Sequence, residues 1–517
     1  MRATLRVAVI VVVTGVLPMT GDCIRSAFSE ETPRSVEAAR EHFAGKAGSI
    51  LSEYVRLLKL PNAASDERNI RRNAEWIREA LGRRGVAAEL LELDGAPPLV
   101  YGSVQTPGAR RTLGLYAHYD GQPVVPEKWS QSPWEPTLYT RAIDSGGTVR
   151  ALPEDGDAPD PEWRLYARSV SDDRAPIMAL LAALDALRSA RVPLDSNLII
   201  LFEGEEEAGS PHLHAYFDRY RARLDADVWL ILDGPTHQSG RPQLVFGVRG
   251  ITGLEITVFG ANRPLHSGHY GNWAPNPAMA LSQLLASMKD VDGRVTIEGF
   301  YDSVAPASAE LRQAARTVPP IDDELRLALG LAATEAGSAP YLDRLLIPSL
   351  NVRGLVSGAV GARARNVIPT SAAVSIDVRL VKGNDPKRML DKVEAHIRGQ
   401  GYHIVREDPT PAERLAHARI AKVSRGHGYR AVRTAMDLPV VRWVRQRAGV
   451  AAGAELVLMP TMGGSLPLYL FEDKLARPLV IVPIVNHDNN QHGPDENLKL
   501  GNLEYGVVLL ASLLGAE

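Results

Sequence analysis

With one cysteine, Cys23, in 517 residues, the chain can form no intramolecular disulfide. Stability must then come from a packed core. A zinc-thiolate site is excluded as well, so any metal would have to use nitrogen and oxygen ligands. An excess of charge of one sign is also missing: 58 basic and 61 acidic residues give a formal net charge of -3. Such a balance supplies no field that would draw nucleic acid or an anionic membrane to the protein. The chain contains no G-x-S-x-G elbow and no glycine-rich phosphate loop, so the usual signatures of a serine hydrolase and of a nucleotide binder are absent. The N-terminal apolar run, from Val7 to about Met19, is short for a membrane span. Because Arg2 and Arg6 precede it, residues 1–27 are expected to form a secretory signal, or an uncleaved N-terminal anchor, with a periplasmic or secreted protein as the result. Asp22 argues against lipid attachment at Cys23, since such sites take a small residue there.

What is present is a globular composition, 45% hydrophobic, on a length that suggests about two to four domains. Ile70, Ala74, Ile77 and Leu81 recur at helical spacing ahead of Gly85 and the strand-like "VAAELLEL". The runs "TLGLYAHYD", "SNLIILFEGEEEAGS" and "DVWLILDGP" are strand-like and end in acidic or imidazole side chains, with an apolar-faced helix at 177–187 between the first two. Strands alternating with helices predict an α/β sheet. Texture changes at "ITGLEITVFG", where Leu254, Ile256 and Val258 alternate with polar positions as in a strand with one solvated face, and the same alternation returns in "AAVSIDVRLV". The expected architecture is a catalytic domain with helices around a mixed, largely parallel sheet, in two parts (40–247 and 431–517). An inserted α+β module at 248–430 would separate them. The acidic, Pro-rich "LPEDGDAPDPEW" reads as a solvated loop without a chemical role.

Five segments place His, Asp or Glu just after a predicted strand: His118 and Asp120 in "YAHYDGQP", Asp172 in "SDDRAP", Glu206 and Glu207 in "EGEEEAGS", Asp233 in "LILDGP", and His492 in "NQHGPDEN". In open α/β sheets ligands bind beyond the carboxyl ends of the strands, where these side chains could converge. Singly, a strand-end Asp is more often a helix cap and a Glu run more often a solvated face. In combination and in order, with "LHSG" and "NVIP" between them, they resemble one family. It is the co-catalytic zinc metallopeptidases that include carnosinase-type dipeptidases, aminoacylases, carboxypeptidase-G-type enzymes and succinyl-diaminopimelate desuccinylases. The resemblance runs from about residue 45 to the C-terminus.

The resemblance implies that Asp172 bridges two Zn²⁺ ions, with Mn²⁺ or Co²⁺ as substitutes. His118 and Asp233 would complete one position, Glu207 and His492 the other. Asp120 would orient the His118 imidazole, and Glu206 would act as general base. In the inserted module, His266 would reach the partner subunit's site and stabilise an oxyanion, which implies a homodimer. Asn366, Arg379 and the Gly464–Ser465 loop match positions that contact substrate, a guanidinium suiting a terminal carboxylate. The expected reaction is hydrolysis of dipeptides or short peptides. An N-acyl amino acid deacylase is the alternative, and a non-catalytic binding protein of the same fold is a third reading. One departure stands out: the family's Gly-Arg-Gly before the bridging aspartate is here Ala167-Arg168-Ser169, and its Lys-Gly after the pair is Arg174-Ala175.

Overall fold

The computed structural model describes residues 32–335 and 337–516. The expected signal or anchor segment at 1–27 and Cys23 lie outside them. Among the described residues no helix is long and apolar enough to cross a membrane.

An eight-stranded mixed sheet forms the centre. Its order is Ala87–Leu91, Leu99–Val104, Asn197–Glu203, Thr112–His118, Val228–Ile231, Leu479–Ile481, Gln243–Val245 and Val457–Met459. The four strands from Asn197–Glu203 to Leu479–Ile481 run parallel, and they read as unbroken apolar runs because both faces are covered. Along them the side chains divide by the two-residue period of a strand. Leu113, Leu115, Leu198, Ile200, Val228 and Leu230 join one core, while Tyr116, Ile199, Leu201, Trp229 and Ile231 join the other. The first core is roofed by the helices Arg34–Leu58, Arg174–Ser189 and Leu500–Leu514, which pack on one another. Gly114 is covered by its cross-strand neighbour, which leaves no room for a side chain: a Cβ there would lie 2.4 Å from the Trp229 ring.

A second, five-stranded sheet has the order Ser349–Val356, Ser371–Leu380, Gly250–Phe259, Ile420–Arg425 and His403–Val405. It is interposed in the chain between two strands of the larger sheet. Helices Pro277–Ala286 and Pro386–Gly399 cover one face, closing a core around Leu254, Ile256, Val258, Val374 and Ile376. The other face carries the polar alternates. One outer strand, Ser349–Val356, leaves Val352, Leu355 and Val356 exposed. The loop 152–163 is irregular backbone with a packing role, because Asp155 accepts hydrogen bonds from the Ser49 N–H (2.8 Å) and hydroxyl (2.7 Å) of the first helix.

Candidate metal centre

The carboxyl ends of the parallel strands open onto one crevice. His118 is the last residue of its strand, Asp233 follows Ile231 by two, and Glu206 and Glu207 lie in the turn just beyond Glu203. Asp172 comes from the loop that enters the helix Arg174–Ser189, and His492 from a loop near the C-terminus. Two overlapping sets of ligand atoms result, each within 4.8 Å: His118, Asp172 and Asp233, and Asp172, Glu207 and His492. Asp172 belongs to both. One of its carboxylate oxygens lies 3.0 Å from His118 Nε2 and the other 3.0 Å from His492 Nε2. His492 Nε2 is 3.3 Å from Glu207.

These spacings suit metal ligands, since atoms around 2.0 Å from one tetrahedral ion sit roughly 3.3 Å apart. The electrostatics agree. Burial, reinforced by the Asp172 charge, pushes Asp233 up to about 6 and Glu207 up to about 7, while His118 and His492 pull both back only in part. Burial drives Glu206 well above the usual carboxylate range, with Asp233, Glu203 and Glu207 adding to it and His118 opposing. Carboxylates packed this closely keep protons unless cations displace them, and metal binding does that. The donor set, imidazole and carboxylate without sulfur, fits a borderline divalent ion.

The neighbours define each side chain's orientation. Asp120 is fully buried; one oxygen lies 3.3 Å from His118 Nδ1, and its two oxygens accept the Glu206 and Glu207 N–H groups (3.1 Å each). Asp173, the second of the acidic pair, does not share the ligand position: it accepts the His118 backbone N–H at 3.1 Å. Burial holds its pKa well up, with the Asp233 charge adding. Glu205 faces away and is engaged by the His212 N–H and ring (both 2.9 Å). Glu206 stands 4.0 Å from His118 Nε2, and Gln122 donates to Glu207 at 2.7 Å.

The residues assigned to substrate divide into two groups. Arg379, at the end of its strand in the inserted sheet, donates to Asp377 (2.9 Å) and to the Ser465 hydroxyl (2.9 Å). Gly464 accepts the Arg249 N–H at 3.1 Å, and a Cβ there would meet nothing within 4 Å. Tyr429 donates to the Ser465 carbonyl at 3.0 Å; burial first, then the Glu206 charge, pushes its phenol up to about 12. His266 and Asn366 are not brought in. They lie exposed on a two-stranded ribbon, Leu265–His266 against Val367–Ile368, where His266 Nδ1 accepts the Gly268 N–H (3.1 Å) and Asn366 accepts the Ser267 N–H (3.0 Å). Among the described residues no hydrogen bond or ion pair joins either to the ligand clusters. Arg249, Tyr429, Gln122 and Glu496 were missed by sequence reasoning. Glu496 sits in the same short segment as His492, but neither periodicity nor strand-end position signals a buried carboxylate.

A shared carboxylate between two histidine-containing sets, at the carboxyl edge of a parallel sheet, defines a metal-dependent hydrolase with room for two ions. The chain belongs to the peptidase family M20/M25/M40, whose model matches residues 114–516, and it is a metallopeptidase of that family. It is 25% identical over 434 residues to a Cys-Gly metallodipeptidase of Candida albicans, with 81% of each chain covered. To the human Beta-Ala-His dipeptidase it is 22% identical, over 80% of this chain and 76% of that one. Among solved structures, an M20 family metallo-carboxypeptidase of Sulfolobus solfataricus matches with a TM-score of 0.70 and 26% identity, covering 90% of this chain and 99% of the other.

Proposed function

We propose that the protein is a dipeptidase that removes one residue from unblocked short peptides, using two Zn²⁺ ions per subunit. The observation that carries the reading is the placement of the two Asp172 oxygens, each 3.0 Å from a different histidine, with Glu206 4.0 Å from one of them. His118, Asp172 and Asp233 would hold one ion; Asp172, Glu207 and His492 the other. Ions bound there would acidify the attacking water and polarise the scissile carbonyl. Glu206 would take the proton from that water at a carboxylate oxygen and return it to the leaving amine, a transfer open to it because its carboxylate stands 4.0 Å from His118 beside both ligand sets. Asp120 keeps the His118 ring in one orientation, so that Nε2 faces Asp172.

Arg379 and Ser465, with the backbone at Gly464, form a donor group suited to the substrate's terminal carboxylate, which limits cleavage to the end of a short chain. His266 and Asn366, exposed on the inserted module, would complete the site of a second subunit in a homodimer. Support for that arrangement comes from the exposed apolar outer strand Ser349–Val356, which would otherwise leave unpaired backbone and valine and leucine side chains in water. The charge-then-apolar order of residues 1–27 supports export. Several relatives named as dipeptidases support the substrate class.

The test is metal content by elemental analysis, joined to hydrolysis of a panel of dipeptides and N-acyl amino acids before and after chelation. Two ions per chain and chelator-sensitive dipeptide cleavage are expected. Deacylation without dipeptide cleavage would replace the reading with a deacylase.

A further inference from the structure

Glu496 is fully buried and has no part in the chemistry just described, yet its carboxylate receives five hydrogen bonds. One oxygen accepts the Ser171 N–H (2.9 Å), the Ser171 hydroxyl (2.7 Å) and the Asp172 N–H (2.9 Å). The other accepts the Ser169 N–H (2.9 Å) and the Arg168 guanidinium (2.8 Å). All the donors lie within the five residues 168–172, which end at Asp172, and Glu496 itself lies four residues beyond His492.

We infer that Glu496 is the positioning residue of the second metal position, setting the approach of His492 to Asp172; the inference rests on the two-ion reading above. The two positions are built differently. His118 and Asp233 stand at the ends of adjacent parallel strands, which fix them through the sheet. His492 stands on a loop whose backbone enters the left-handed region three times, at Asn490 (φ 56°), His492 (φ 63°) and Asp495 (φ 56°). Such a loop has no ladder of its own and takes its shape from its anchors. Glu496 is the anchor that touches the opposing ligand, because one of its donors is the backbone N–H of Asp172. Arg168 closes the tie from the other side by donating to the Gly493 carbonyl at 3.0 Å.

The same bonds account for the departure in this loop. Ser169 occupies the place of a glycine with φ 57°, a conformation that disfavours a side chain. Its N–H is held by Glu496, and its hydroxyl accepts from Asn62 at 3.0 Å. A carboxylate that fills both oxygens with donors can hold a non-glycine residue in this conformation.

A glutamine at 496 keeps the shape but turns one acceptor into a donor facing other donors, so at least two of the bonds are lost. Glu496→Gln is therefore expected to lower the affinity of one ion, that held by Asp172, Glu207 and His492, by about 10- to 100-fold and to spare the ion whose other ligands, His118 and Asp233, are fixed by the sheet. Co²⁺ titration followed by its visible absorption, with chelator competition, reads both steps without turnover. Ser171→Ala removes only the hydroxyl's bond and leaves Arg168 paired; a smaller loss in the same direction is expected. Unchanged affinities in a folded Glu496→Gln protein, judged by near-ultraviolet circular dichroism, would overturn the inference. Should that variant not fold, unchanged affinities in Ser171→Ala would overturn it. A wild-type protein that binds no second ion would instead remove the two-ion reading on which it stands.

Discussion

Three consecutive glutamates take three different positions because the turn after the strand Asn197–Glu203 rotates each to a new partner. Glu205 is spent on His212, Glu207 is held by Gln122 beside His492, and Glu206 is left facing His118 with no strong donor of its own. A general base needs that freedom, since a carboxylate pinned by donors has a depressed pKa and a poor affinity for protons. Glu206→Gln should lower kcat by about 10²- to 10⁴-fold and leave metal content unchanged. His118→Ala or Asp172→Ala should lose metal together with activity. Elemental analysis alongside steady-state kinetics separates these outcomes, and full activity in Glu206→Gln would refute its role. At this scale the sequence signalled the clustering of His118, Glu207 and Asp233, which end or closely follow apolar strands, whereas Asp172 and His492 stand on loops and were picked out only by the order of the short motifs. Glu496, Tyr429 and Arg249 were not, because their partners lie far away in sequence and no local pattern encodes a buried hydrogen bond.

At the scale of elements, the helix Arg174–Ser189 begins with a guanidinium that is wholly buried. Arg174 donates to the carbonyls of Tyr119 (3.3 Å), Leu57 (3.0 Å) and Leu60 (3.0 Å) and to the Asn73 side chain (2.7 Å). It thereby joins the two N-terminal helices to the loop after His118, and burial pulls its pKa down to about 9. Arg174→Met would leave the Leu60 carbonyl and the Asn73 side-chain oxygen without their donor, while Asn62 still donates to the Tyr119 carbonyl and the Leu60 N–H to that of Leu57, and should cost about 2 kcal/mol or more; urea denaturation of the metal-free protein measures it. In the inserted module, burial would raise Glu394, but hydrogen bonds from Arg425 and Arg406 outweigh it and bring it down to about 2. A depressed carboxylate stabilises fully above its unfolded pKa, near 4.5, and the contribution is lost as pH falls toward 2. Glu394→Gln should therefore cost about 1–2 kcal/mol at pH 7, the partly exposed guanidiniums being screened by solvent, and progressively less below pH 4.5. Denaturation at pH 7 and at pH 3 tests the sign. The long strands and helices were legible because their periodicity reports which face is buried. The short sheet of Asn497–Lys499, Arg164–Tyr166, Thr137–Tyr139 and Val149–Arg150 was not, since strands of two or three residues carry no period and are defined by their pairings, one of which spans more than 300 positions in sequence.

For the whole molecule, the question is where His266 acts. It lies exposed on the two-stranded ribbon of the inserted module and, among the described residues, no hydrogen bond or ion pair links it to the ligand clusters, so a role in catalysis requires either a large closure or a second subunit. The two cases differ in what a mixture of inactive chains can do. In a symmetric dimer that exchanges His266, a subunit with His266→Ala still holds an intact Glu206, and one with Glu206→Gln still offers an intact His266. Co-expressed, they form mixed dimers in which one site of the two is complete. Random pairing of equal amounts makes half the dimers mixed, so activity should return to about a quarter of wild type, although each variant alone is inactive. If His266 serves its own chain, no site in any dimer is complete and mixing restores nothing. Purifying the mixed dimer with two different affinity tags raises the expectation to about half of wild type, which excludes reversion or contamination as the source. Placing an Arg at Val352 or Leu355, on the exposed outer strand, should lower both the dimer fraction and the recovered activity, because a desolvated charge opposes association there. Sedimentation velocity on the same samples ties the recovered rate to the fraction of chains that are paired.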